Sequence, residues 1–344
     1  MLIQTDPLRE LTAQIFAAAG CDRSEADCIA RHLVDSNLCG FDSHGVIRIM
    51  QYVDNLRQGT VRPGQQMQVV RETETTAVVD GNLGFGQVIC EQAMELAAGK
   101  AKQAGMALVT IRNCGHMGRL GDWAEQLARA DLISLHFLNT TGLGMLAVPF
   151  GGSDRRLSLN AMAFCVPVAG RQPLLLDCTT TVTAEGKIRV ARNQGVPVPP
   201  GTIVDEQGRP TTDPNDFYDG GAVLPFGGHK GYGLNIIADV LTGALSGGGC
   251  TAPDAEYLIN NSTCIAIDPD PLTDREAYFG EITRYCDWVT DSPPSEPGGE
   301  VIMPGTFEHR TRAERQSAGI LIDDTTWGQI VELAVSLGVE TRIE

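Results

Sequence analysis

The chain has 344 residues, 42% hydrophobic and 20% charged, so it is long enough for two domains and has the composition of a folded protein. Its formal charge is −17, and no run of lysine or arginine offsets it, which excludes nucleic acid and anionic membrane surfaces as expected partners. An anionic substrate would need a local cation to hold it against that field.

The first 60 residues read as three helices. Asp6 and Pro7 form a cap and first-turn pair, and Leu8, Leu11, Ile15 and Phe16 make an apolar stripe that ends at Gly20. A second helix runs from Ser24 to Gly40 with Ile29, Leu33 and Leu38 on one side. A third begins near Ser43 and ends at Gly59, with Ile47, Met50 and Leu56 facing inward. From residue 75 strands alternate with helices: a strand over 75–80, the glycine-rich 81–86, a helix to 103, a strand over 106–112 and a helix over 117–130. Strands follow over 132–138, 161–168 and 174–177. Residues 197–228 are rich in Gly, Pro and Asp, a helix spans 232–245, 291–306 is a long connection, and 326–337 is a closing helix. The pattern is α/β.

Ten scattered cysteines, without a Cys-x-x-Cys pair and without a leader segment before them, are expected to be reduced and mostly buried in a cytoplasmic protein. The most apolar stretch, 234–245, contains Asp239 and is too short to cross a bilayer.

Three segments could carry chemistry. In Asp42-Ser43-His44-Gly45-Val46-Ile47-Arg48, His44 and Arg48 are four residues apart and would share a helix face, with Ser43 placed to orient the imidazole. An imidazole can give a proton to a carbonyl oxygen near neutral pH, and a guanidinium suits a carboxylate. The same residues also describe an ordinary helix start with a solvated arginine. In the turn 113–121, His116 stands where an apolar strand opens onto a helix, the usual place for an α/β active site, though a loop histidine satisfied by backbone reads the same way. In 224–233 a glycine-rich loop enters a helix with Lys230, a combination suited to phosphate but lacking the spacing of a Walker loop. A dinucleotide fingerprint forced onto Gly142, Gly144 and Ala147 fails, because Pro149, Gly151 and Gly152 interrupt the helix it requires. No spacing of His, Cys, Asp and Glu suggests a metal, and no Gly-x-Ser-x-Gly elbow suggests a serine hydrolase.

Taken together, Asp-Ser-His-Gly-Val-Ile-Arg (42–48), Gly-His-Met-Gly-Arg-Leu-Gly (115–121), Leu-Leu-Leu-Asp (174–177) with Gly186 and Lys187, Gly-Val-Pro-Val-Pro-Pro-Gly (195–201), Pro-Thr-Thr-Asp-Pro (210–214) and Gly-His-Lys-Gly-Tyr-Gly-Leu (228–234) occur in one order. In these motifs the chain resembles the malate/L-lactate dehydrogenase family that is unrelated to the Rossmann enzymes. That family includes sulfolactate and ureidoglycolate dehydrogenases and cyclic-imine carboxylate reductases. The chain is most similar to its bacterial hydroxycarboxylate dehydrogenases.

The resemblance implies a non-Rossmann NAD(P)-binding α/β fold with a mixed seven-stranded sheet, a homodimer, and NADH or NADPH as cofactor. It implies a helical N-terminal domain over 1–74, joined on the substrate side by 307–344, and a cofactor-binding domain over 75–306. Position by position, His44 matches the proton donor, Ser43 its relay partner and Arg48 the clamp on a small anionic substrate. His116 matches a histidine that some members use as acid/base and others place by the cofactor. Gly118, Leu120, Asp177, Cys178, Thr179, His229, Lys230, Pro304 and Gly305 match cofactor-binding positions, and Leu159, Glu185, Gly186 and Lys187 match positions lining the substrate.

Three departures bear on the substrate. Ser158-Leu159-Asn160-Ala161 replaces Gly-Thr-Asn-Pro, Asp177-Cys178-Thr179-Thr180-Thr181 replaces Asp-x-Ala-Thr-Ser, and Glu185 takes a place often held by Arg, His or an apolar group. Lys187 stands where the cyclic-imine reductases carry an aspartate, which favours a carbonyl substrate. The expected reaction is hydride transfer between NAD(P)H and a small 2-oxo or 2-hydroxy acid. The alternatives are reduction of a cyclic imine carboxylate and a non-catalytic cofactor-binding protein.

Overall fold

The computed structural model describes residues 1–141, 144–253 and 257–341. Gly142 and Leu143, the start of the rejected fingerprint, lie outside the described residues. In chain order the strands are β1 (Leu2–Ile3), β2 (Gln68–Glu72), β3 (Thr76–Asp80), β4 (Met106–Cys114), β5 (Ile133–Thr140), β6 (Met145–Ala147), β7 (Leu157–Ser158), β8 (Ala161–Val166), β9 (Leu174–Thr179), β10 (Ile203–Val204), β11 (Pro210–Thr211), β12 (Ala222–Val223), β13 (Asn260–Ile267) and β14 (Ile320–Leu321). The helices are α1 (Thr5–Ala18), α2 (Arg23–Leu38), α3 (Ile49–Gln58), α4 (Gly86–Ala104), α5 (Leu120–Ala128), α6 (Glu185–Gln194), α7 (Pro214–Tyr218), α8 (His229–Asp239), α9 (Arg275–Thr290), α10 (Thr306–Ala318) and α11 (Asp324–Ser336).

The apolar stripes of the first helices build one core. Leu8, Leu11, Ile15 and Phe16 of α1 pack with Ile29, Leu33 and Leu38 of α2, Val53 of α3, and Ile330 and Ala334 of α11. Asp22 caps α2 by accepting from the Glu25 N–H at 2.8 Å. The start of α1 differs from the sequence expectation. Leu2 and Ile3 pair antiparallel with Leu321 and Ile320, so the helix begins two residues early and Asp6 falls in its first turn, where its charge complements the helix dipole.

The second core lies against a seven-stranded mixed sheet of order β2-β3-β4-β13-β5-β8-β9, in which the β3–β4 pair alone is parallel. The sheet opens with Gln68–Glu72, ahead of the expected boundary at residue 75. Its central strand, β13, is absent from the sequence reading because Asn260, Asn261, Ser262 and Thr263 look like a loop. All four are buried, and their side chains find partners: Asn261 Nδ2 donates to Asn139 Oδ1 at 3.0 Å, and the Ser262 hydroxyl donates to Phe137 O at 2.9 Å. The stretch 197–228 is not bare loop either. Its two-residue strands join β6 and β7 in a five-stranded sheet of order β11-β10-β12-β6-β7, closed by Ile188, Val198, Ile203, Phe217 and Val223. The expected helix over 232–245 starts earlier, at His229, and passes into a π-helical turn at Val240–Ala244. Among the described residues, no helix is long and apolar enough to cross a membrane.

Candidate active site

The segment 42–48 is not the continuous helix its spacing suggests. Two 3-10 turns, Asp42–His44 and Val46–Arg48, flank Gly45, whose backbone is extended. Asn37, in the last turn of α2, imposes the break. Its Oδ1 accepts from the Val46 N–H at 2.9 Å, its Nδ2 donates to Asp42 Oδ1 at 2.7 Å, and a Cβ on residue 45 would overlap its carboxamide. Arg315 of α10 adds a donor to Asp42 Oδ1 at 2.6 Å. His44 and Arg48 therefore do not share a helix face. They meet because Arg48 Nε donates to Ser43 O at 2.6 Å, while Ser43 Oγ lies 3.0 Å from His44 Nδ1.

His116 approaches from the other side. Asn260 Oδ1 accepts from the Met117 N–H at 2.9 Å, and Trp123 Nε1 donates to Met117 O at 3.0 Å, which fixes the turn after β4. Gly86 lets α4 start against this turn, since a Cβ there would overlap the His116 carbonyl. The His116 ring stacks on His44 with centroids 5.6 Å apart and planes 22° apart. Behind it, the buried Tyr52 hydroxyl lies 2.7 Å from His116 Nδ1 and accepts from Gln87 Nε2 at 3.1 Å. The Gly118 N–H also points at Nδ1, at 3.3 Å. With a backbone donor on it, Nδ1 is the acceptor nitrogen, so the neutral ring carries its proton on Nε2.

Burial pushes the His44 imidazole down to about 3, with the Arg48 charge adding to the effect. His116 is held well below its ordinary value by burial, then by Arg48 and His44. Arg48 is itself lowered by burial. The site is therefore two neutral imidazoles beside one guanidinium, and among the described residues no carboxylate forms an ion pair with Arg48. Tyr52 and Gln87 were not anticipated. The one available signal was that Tyr52 follows Arg48 by four residues.

The residues matched to cofactor positions gather along β9. Asp177 Oδ2 accepts from the Gly121 N–H at 2.7 Å, which ties β9 to the first turn of α5 beside Gly118 and Leu120. Burial raises the Asp177 carboxyl to about 6 in spite of Arg119 nearby. Arg119 is fully buried, pairs with Asp122 at 2.5 Å and Glu125 at 3.2 Å, and lies over the Phe41 ring. Leu175 N–H donates to Pro304 O at 3.2 Å, and Gly305 follows in a left-handed conformation against Leu175. Beyond Cys178 and Thr179, both half-buried, Thr180 O accepts from the Phe226 N–H at 3.1 Å and so holds the 225–231 loop. Gly228, with φ of 62°, opens α8 without a side-chain cap, and His229 and Lys230 are exposed in its first turn. Uncapped amides beside a lysine fit a phosphate group.

The substrate-side positions are less uniform. Gly186 abuts the site, since a Cβ on it would lie 3.3 Å from Ser43 Cβ. Glu185 is engaged already, accepting from Arg189 Nη2 and from the Tyr218 hydroxyl, each at 2.8 Å. Leu159 is half-buried against the small core of the five-stranded sheet, and Lys187 is exposed on α6.

A sequence model of malate/L-lactate dehydrogenase matches residues 3–331. Hydroxycarboxylate dehydrogenase B of Escherichia coli is 38% identical over 341 residues, which cover 96% of this chain and 93% of its own. The solved structure of sulfolactate dehydrogenase from Methanocaldococcus jannaschii superposes with a TM-score of 0.89 at 33% identity, covering 99% of this chain and 98% of that one. That of delta1-piperideine-2-carboxylate reductase from Pseudomonas syringae does so with a TM-score of 0.86 at 30% identity, covering 97% of this chain and 100% of that one.

Proposed function

The chain belongs to the malate/L-lactate dehydrogenase family, and we propose that it moves a hydride between NADH or NADPH and a small 2-oxo or 2-hydroxy carboxylic acid. The observation that carries this reading is the stacked pair His44–His116 beside a half-buried Arg48 that no carboxylate of the described residues pairs with. The relatives' names, hydroxycarboxylate and sulfolactate dehydrogenase, point the same way.

In this reading Arg48 holds the substrate carboxylate. Its arrival offsets the Arg48 charge, the smaller cause of the depression after burial, so part of the imidazoles' basicity returns as substrate binds. His44 is the proton donor in reduction and the acceptor in oxidation. Its Nδ1 faces a serine hydroxyl, which can accept from a protonated ring or donate to a neutral one. His116 is the poorer proton carrier, because the Gly118 N–H already occupies Nδ1. Its Nε2–H instead polarises the carbonyl as a neutral donor. A bound nicotinamide supplies or takes the hydride. Asp177, Cys178, Thr179, Pro304 and Gly305 on and beside β9, with Gly118 and Leu120, would hold it in a non-Rossmann manner, and His229 and Lys230 would take its phosphates.

A row of exposed apolar residues on α8 and the turn after it, Leu234, Ile237, Val240 and Leu245, supports a homodimer. Ten free thiols, most of them buried, fit a reducing cytoplasm. Reduction of a cyclic imine carboxylate is the second reading, favoured by the named Pseudomonas syringae relative. Against it, Lys187 stands where the imine reductases carry an aspartate, and the Glu185 carboxylate, which could otherwise face a cationic imine, is already paired with Arg189 and hydrogen-bonded by Tyr218.

A spectrophotometric screen of 2-oxo acids and cyclic imines with both coenzymes tests the proposal. Turnover of a 2-oxo acid is expected. Turnover of an imine alone would establish the second reading, and coenzyme binding without any turnover would leave a non-catalytic protein.

A further inference from the structure

Away from the cleft, α2 and α4 bring a second group of side chains together. Cys28 and His32 are four residues apart on α2 and meet Glu91 of α4. Cys28 Sγ lies 3.0 Å from Glu91 Oε2, and a sulfur, a ring nitrogen and a carboxylate oxygen from the three residues all fall within 4.8 Å of one another. His32 Nδ1 is 3.2 Å from Asp122 Oδ2, and Asp122 is anchored in turn by Arg119. The other nitrogen, Nε2, is buried and has no partner among the described residues, on a side chain only 9% exposed. A carboxylate behind one imidazole nitrogen, with the opposite nitrogen left over, is the outer arrangement of a metal-binding histidine.

We propose that Cys28, His32 and Glu91 bind one divalent cation with affinity for sulfur and nitrogen, zinc foremost, and so fasten α2 to α4 outside the reaction cleft. Thiolate, imidazole and carboxylate together suit zinc or cobalt and disfavour magnesium and calcium, which take oxygen ligands. Three protein ligands leave the fourth tetrahedral position to water. Without a metal, burial and the neighbouring Glu91 keep the thiol protonated, and its S–H donates to that carboxylate. Coordination replaces the S–H bond with a metal–sulfur bond and releases the proton to solvent. Arg31 Nη2, now 2.8 Å from both Glu91 oxygens, is part-exposed and can swing outward as the ion enters. Arg31, His32 and Asp122 also line a surface cavity of about 560 Å3, which supplies the entry path. Thiolate and carboxylate balance the ion's two charges. The sequence expectation was that no spacing of His, Cys, Asp and Glu suggests a metal; Cys28 and His32 are a Cys-x-x-x-His pair whose third partner, Glu91, comes from another helix and is not visible as a spacing.

The test is cobalt titration of chelator-treated protein. The intact chain should take up one Co2+ with a thiolate-to-cobalt charge-transfer band in the near ultraviolet, and Zn2+ should displace it and raise Tm. Cys28→Ala and, as a conservative second variant, Cys28→Ser should fold by circular dichroism, lose the band and bind Co2+ at least about tenfold more weakly, the loss that even an outer ligand partner causes. Glu91→Gln should keep the band and weaken binding. No band in the intact chain, or an unchanged band and affinity in the two Cys28 variants, overturns the site.

Discussion

The Tyr52 hydroxyl lies 2.7 Å from Nδ1 of His116 and receives the Gln87 amide on its far side, so it joins the Gly118 N–H in leaving Nδ1 the acceptor nitrogen of that ring. Removing that hydroxyl leaves the Gly118 N–H as the remaining donor to Nδ1 and strands Gln87 Nε2. Tyr52→Phe should cost about 1–3 kcal/mol of stability for the unpaired amide. Imidazole nitrogen shifts in NMR should report a single Nε2–H tautomer at His116 in the parent and a mixture in the variant. A single unchanged tautomer would show that Gly118 alone sets it.

Burial lowers both imidazoles, and the charge of Arg48 beside them lowers both further. Arg48→Met should raise KM for a 2-oxo acid by roughly a hundredfold, the loss of about 3 kcal/mol typical of a charge-assisted pair. With the cation gone, the free-enzyme kcat/KM profile should also move its acid limb to higher pH. Unchanged KM with an unmoved limb would take Arg48 out of the site.

The two histidines should separate in kinetics. His44→Asn should lower kcat by about 10² to 10⁴ and abolish the limb that reports the proton donor. His116→Asn should retain that limb. Loss of the limb only in the His116 variant would exchange their roles and leave the reaction class standing.

Lys230 is exposed in the first turn of α8, where the uncapped amides suit phosphate. Lys230→Ala should weaken coenzyme binding in a fluorescence titration by about tenfold, with Tm unmoved, as expected for a solvent-facing ion pair to phosphate. Equal affinity would assign the phosphates elsewhere.

His136 lies buried on β5, outside the motif segments, and burial pushes its imidazole from 6.5 down to about 3. The unfolded chain takes up a proton there as pH drops below 6.5, while the folded chain does so only near 3. The stability contributed by the neutral ring is thus complete above pH 6.5 and lost progressively down to about pH 3. In urea unfolding across that range, His136→Gln should reduce the pH dependence by up to about 1.4 kcal/mol per pH unit, one proton's share. An identical slope would mean that the ring already titrates normally in the folded protein.

Side-chain type was legible in the sequence where glycine and histidine punctuate short motifs, and poorly legible where tertiary partners decide. The 42–48 motif pointed to His44 and Arg48, yet not to their geometry, because the break at Gly45 is imposed by Asn37 and reinforced by Arg315, one nine residues or less upstream and the other far downstream. Tyr52 and Gln87 resemble ordinary helix residues until the fold sets the Tyr52 hydroxyl between Gln87 and His116. The polar opening of β13 defeats any hydrophobic pattern, since Asn260 and Asn261 are buried to serve neighbouring backbone and side chains. The strands of the smaller sheet are two or three residues long, too short for an alternation to register. The seven-stranded mixed sheet itself followed from the family resemblance and not from periodicity.

The ribbon between Leu2–Ile3 and Ile320–Leu321 has a bearing on biosynthesis. Its partners are separated by nearly the whole polypeptide, and the helices next to it share a core with Ile330 and Ala334. While the chain is still on the ribosome, α1 and α2 can coil and pair, but the apolar surface meant for α11 stays uncovered until the last helix has emerged. Closing so long a loop delays the final docking step, so the nascent amino-terminal layer carries an uncovered apolar face for as long as α11 is unmade.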